Sequence, residues 1–149
     1  MNKKEQGFYL WLRKKIKNWA NSSSGRSHRH VEYILLAPDL FHLLISLLND
    51  PNVPIKEKAK LAGAVTYFIS PIDLMPELIL GPIGLLDDIA IAAFVLNSLL
   101  NQIPEEMVRY HWVGEEDILA LIQRIAFGMD ALLGSGLAKR IKHIYSSFR

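Results

Sequence analysis

The chain reads as an all-α protein, a helical bundle around a central apolar helical hairpin with a Pro/Gly-rich connector. Three observations predict it. Apolar residues recur at three- and four-residue intervals along most of the 149 residues, the period of a helix with one buried face. Prolines fall where such stripes begin or end, as helix chemistry favours. No stretch alternates apolar and polar residues as a half-buried strand would.

The elements follow in order. Residues 5–20 form a first helix, with Phe8, Trp11, Leu12, Ile16 and Trp19 on one stripe and Arg13, Lys14 and Lys17 opposite. The polar run 21–27 is a linker. It divides a basic amphipathic arm, 1–27, from a helical body, 28–149. Pro38 at the first helical position starts a helix to about Asn49. Pro54 starts the next, which stops at Ser70-Pro71 because a residue before proline avoids the α region. The connector 70–84, SPIDLMPELILGPIG, holds three prolines and two glycines. Ser70 and Asp73 match a capping box there, with Pro71 between them. A long apolar helix covers 83–102, a short turn follows Pro104, and an amphipathic helix covers 115–133 with Ile118, Leu121, Ile122 and Ile125 on its stripe. A final helix carries Leu137, Ile141, Ile144 and Phe148 on one side. Lys139, Arg140 and Lys142 lie around the other.

Half the residues are hydrophobic, enough for a core without staples. Cysteine is absent, which excludes disulfides, a cysteine nucleophile and thiolate metal sites. The net charge of +2 hides a division. Residues 1–30 carry eight Lys/Arg and one Glu, residues 31–138 five Lys/Arg and 14 Asp/Glu, and residues 139–149 four Lys/Arg and no acid. An acidic body with basic ends suits an anionic surface. The apolar run 8–12 is too short for a secretory leader, so none is expected.

Mean hydropathy is +0.16, high for a soluble domain. The helix 83–102 is long enough to reach across about 30 Å of hydrocarbon. The competing reading is a buried helical pair, since core helices are also apolar all round. The terminal helices favour a membrane: Trp11, Arg13, Lys14, Lys15, Lys17 and Trp19 at one end and Lys139, Arg140 and Lys142 at the other fit an anionic cytoplasmic surface. Against this stands packing of both stripes into the bundle, since exposed tryptophan is costly.

The segment KAKLAGAVTYFISPIDLMPELILGPIGLLDDIAI resembles the YkvA-like domain family, a bacterial domain of unknown function. The likeness covers about 38–100 and rests on Tyr67, Pro71, Asp73, Leu74, Pro76, Gly84, Leu86, Asp87 and Asp88. Glu77 stands where the family pattern has an aspartate, and Met75 where it has an isoleucine. The resemblance implies a helical hairpin and membrane association, and it implies no reaction.

Asp73, Glu77, Asp87 and Asp88 are the candidates for chemistry. Clustered carboxylates bind divalent cations, so a metal-dependent or ion-binding role is the alternative. The structural explanation weighs more. Asp73 caps a helix, while Asp87 and Asp88 favour a helix start and pair with Lys56, Lys58 or Lys60. Adjacent helical residues also point about 100° apart. No histidine pair has zinc spacing, and no nucleotide or hydrolase motif occurs. The expected function is therefore interaction or scaffolding at a membrane, by a protein without catalytic motif or required cofactor. Its partners would be anionic lipid or a protein. Nucleic acid is disfavoured for want of a reading motif, and a cytoplasmic location is the alternative.

Overall fold

The computed structural model describes residues 3–22, 31–74 and 85–127, with side chains described for 3–22, 32–67 and 89–126. These residues form α1 (Lys3–Ala20), α2 (Val31–Ile34), α3 (Ala37–Leu48), α4 (Ile55–Leu74), α5 (Leu85–Leu99), α6 (Glu105–His111) and α7 (Ile118–Phe127). No strand occurs among them. The all-α reading holds.

Helix α3 is the inner element. Ala37, Pro38, Leu40, Phe41, Leu43, Leu44, Ile45 and Leu47 are all buried, which leaves little of its circumference to solvent. Only a narrow stripe of Asp39, His42 and Ser46 is polar and part-exposed; the wide apolar arc of the helix must be enclosed, and α1, α4, α5 and α6 all pack on it. Helices α4 and α5 pack against each other, as the expected hairpin requires. Helix α7 lies on α5 and α6, burying the predicted residues Ile118, Leu121, Ile122 and Ile125.

Helix ends follow local chemistry. Pro38 enters one position later than expected, because α3 begins at Ala37; its missing N–H is an orphan there anyway. Beyond α3, Asn52 N–H donates to Asp50 Oδ1 at 2.8 Å and Val53 N–H to Asp50 O at 3.2 Å. That aspartate turn delivers Val53 to the core and the chain to α4.

The expected stop at Ser70-Pro71 is overturned. Helix α4 runs through it to Leu74. The bias against α geometry before proline is a preference, and Pro71 lies near the helix end, where it forfeits the bond to the Tyr67 carbonyl. Ser70 is consequently inside a helix, and the capping box of Ser70 with Asp73 is overturned with it.

The long helix expected over 83–102 ends earlier, at Leu99, while its expected start at 83–84 lies outside the described residues. Helix α5 spans 15 residues, about 22 Å at helical rise. Among the described residues, no helix is long and apolar enough to cross a membrane. The chain from Leu99 tightens into a turn instead, with Gln102 N–H bonded to Leu99 O at 2.8 Å.

Candidate functional site

Helix α1 presents two unlike faces. Leu12 and Ile16 are each 1% exposed and sit in the core. The Phe8 ring packs on Phe41 with centroids 4.8 Å apart, and Trp19 is partly buried against the same cluster. The stripe expected to meet lipid is thus largely spent on the bundle, and Trp11 is its exposed member at 40%. Leu10, outside that stripe, is 54% exposed. Helical geometry turns Leu10 and Lys14 away from α3. Lys3, Lys4, Arg13 and Lys17 are exposed with them. Lys15 Nζ lies 4.9 Å from the Trp11 ring centroid, a cation–π contact that holds the indole in place. Six Lys/Arg and one Glu make α1 strongly cationic.

One flank of α1 borders a cleft of about 440 Å³. Tyr9 and Arg13 enter it from α1, Leu35 and Asp39 from the α2–α3 junction, and Val113 and Glu115 from the segment before α7. Tyr9 O–H donates to Asp39 Oδ1 at 3.3 Å. Burial, and then the Asp39 charge, raise the Tyr9 phenol above its ordinary pKa, so it remains a donor. The positive charge of the nearby Arg13 opposes that rise. A carboxylate and a guanidinium thus line the same cleft as the phenol. Gly114 shapes the wall: a Cβ there would strike the Trp112 ring, which is fixed by its Nε1–H bond to Glu116 O at 2.9 Å.

Two polar groupings escaped the sequence reading. Glu57 and Lys60, one helical turn apart on α4, are buried and lie 3.2 Å apart. Lys60 Nζ also reaches Ser98 Oγ on α5 at 3.4 Å. Their i,i+3 spacing was legible, but burial on the α5 side was not. The pairing expected for Asp87 and Asp88 involves side chains that lie outside the described residues. The second grouping joins His111 Nε2 to Asp50 Oδ2 at 2.7 Å, clasping α6 to the α3–α4 turn. His42 Nδ1 lies 3.3 Å from Ser46 Oγ on α3, and burial lowers the His42 pKa.

Of the motif residues, Tyr67 is partly buried against the core. Pro71, Asp73 and Leu74 fall on α4, and Leu86, Asp87 and Asp88 on α5, but their side chains lie outside the described residues, as do Met75, Pro76, Glu77 and Gly84 entirely. Lys139, Arg140 and Lys142 lie outside them too. Among the described residues, no group of three or more His, Asp or Glu could hold a metal ion.

Residues 57–94 match a family described as a protein of unknown function, DUF1232. The DUF1232 match falls within the 38–100 stretch and supports a domain of unknown function; it does not carry the YkvA-like name. It spans the hairpin, including the buried Glu57 and Lys60, and leaves out α1, α6 and α7. The chain is also similar to an uncharacterized protein, ORF9, of Methanothermobacter thermautotrophicus, with 29% identity over 114 residues and 76% of each chain covered. No solved structure matches.

Proposed function

We propose that this is a peripheral membrane protein that acts by interaction or scaffolding, with the outer face of α1 resting on an anionic cytoplasmic bilayer surface. The observation that supports it is the division of α1. Its inner face is sealed in the core, while Leu10 and Trp11 stand exposed among six Lys/Arg. Basic residues around a shallow apolar tip suit the headgroup region. The YkvA-like likeness of 38–100 adds membrane association by resemblance. Since no described helix spans a bilayer, the proposal is attachment to the surface, and it assigns the protein no reaction.

Vesicle flotation tests it. The full chain should float with phosphatidylcholine vesicles containing phosphatidylglycerol and stay behind with phosphatidylcholine alone. Replacing Lys3, Lys14 and Lys17 by Gln should weaken binding about fivefold per charge, from about 1 kcal/mol each. Salt should weaken it further by screening. Equal recovery with charged and neutral vesicles would overturn the proposal.

A further inference from the structure

We propose that the cleft beside α1 binds the phosphoethanolamine headgroup of a phospholipid. This rests on the surface attachment above and gives it a lipid preference. The cleft, about 440 Å³, is within the range of small-molecule sites. Its charges are of both signs: Asp39 holds the Tyr9 hydroxyl, and Arg13 lines the cleft beside it. A complementary ligand carries its own anion and cation on a short linker. The planar guanidinium of Arg13 suits a phosphate. A primary ammonium has protons to donate to the Asp39 and Glu115 carboxylates. Glu116, the other acid on the wall, is turned to Arg124 at 3.3 Å. Phosphatidylglycerol lacks the cation these carboxylates require, and phosphatidylcholine has no ammonium proton to give them.

The walls distinguish a lipid from a free zwitterion. Leu35 and Val113 line the cleft yet remain 43% and 52% exposed. A small free ligand needs most of its surface enclosed. An open apolar wall suits a headgroup whose glycerol and first methylenes continue outward. The position agrees as well: helical geometry puts Arg13 on the flank of α1 next to Leu10 and Lys17, so the cleft opens beside the proposed bilayer-facing surface.

The test is flotation of the full chain on three vesicle compositions. The first is phosphatidylcholine. The second adds phosphatidylglycerol, and the third keeps that fraction while replacing part of the phosphatidylcholine by phosphatidylethanolamine. Binding to the third should exceed that to the second by roughly tenfold, the scale of one charge-assisted hydrogen bond. Asp39→Asn and Glu115→Gln should each remove this gain while keeping binding to the second, with folding checked by thermal melts. Soluble phosphoethanolamine should compete the gain away. No binding to the second composition would instead defeat the surface attachment itself. Equal binding to the second and third, or a gain that survives both substitutions, would overturn the headgroup site. So would competition by alanine as strong as that by phosphoethanolamine, or binding of the free headgroup without any vesicle gain.

Discussion

Helices α1 and α3 lie against each other and are built on opposite plans. Helix α3 buries eight of its twelve residues and leaves a polar stripe of Asp39, His42 and Ser46 part-exposed, whereas α1 commits only Leu12 and Ile16 fully and leaves Leu10, Trp11 and a row of cations outside. The difference separates what the fold requires from what it does not. Enclosure accounts for every apolar residue of α3. It does not account for Leu10, which remains half-exposed where a polar residue would serve the fold equally well. That surplus on α1 is the surface on which the proposed membrane attachment rests.

The largest expected effect lies at the contact between them. Phe41 is fully buried beneath Phe8, so Phe41→Ala should cost about 3–5 kcal/mol, and Leu12→Ala about 2–5 kcal/mol, by lost burial and the cavities left. Denaturant melts give both values. If α1 were only loosely attached, Leu12→Ala would change stability by less than about 0.5 kcal/mol and the comparison would break.

A smaller effect concerns the clasp between α6 and the turn that ends α3. The His111 hydrogen bond, and then the Asn52 N–H, hold the Asp50 carboxyl below its ordinary pKa. A carboxyl depressed on folding adds stability that is present above its unfolded value, about 4, and lost as pH falls through the folded one. The His111 and Asp50 side chains are 18% and 13% exposed. Asp50→Asn should lower stability by about 1.5–3 kcal/mol at neutral pH, the range for hydrogen bonds to charged groups. The gap from the original protein should close below about pH 4. Melts across pH 3–7 check this, and a gap independent of pH would show that the turn geometry, not the charge, carries the effect.

Local features of the fold were legible in the sequence, and long-range ones were not. The stripe of α7 was readable because Ile118, Leu121, Ile122 and Ile125 keep helical spacing. The end of α4 was misread because proline chemistry is a local bias, which a helix anchored at its other end can override. The inner stripe of α1 was found, but its destination was not, since Phe8 meets Phe41 from 33 positions away. The same distance in sequence hid the cleft: Tyr9, Asp39 and Val113 converge only once the helices pack. Asp50 and His111, 61 residues apart, lacked any spacing signal.

The smallest expected effect on stability is the sharpest test of the comparison. Leu10 lies two residues before Leu12 on the same helix, yet it is 54% exposed where Leu12 is 1%. Helical geometry sets the two side chains about 200° apart. Leu10→Ser removes apolar surface that already meets water, so the folded and unfolded states lose similar hydration terms. The melting midpoint should move by no more than about 0.5 kcal/mol equivalent, while flotation with anionic vesicles should fall several-fold, because the apolar tip proposed to enter the headgroup region is gone. Leu12→Ala should do the reverse at temperatures where it remains folded, losing stability and keeping vesicle binding. A large loss of stability in Leu10→Ser would mean that this face is covered within the protein itself, and α1 would then be a second core helix with no surface left to offer.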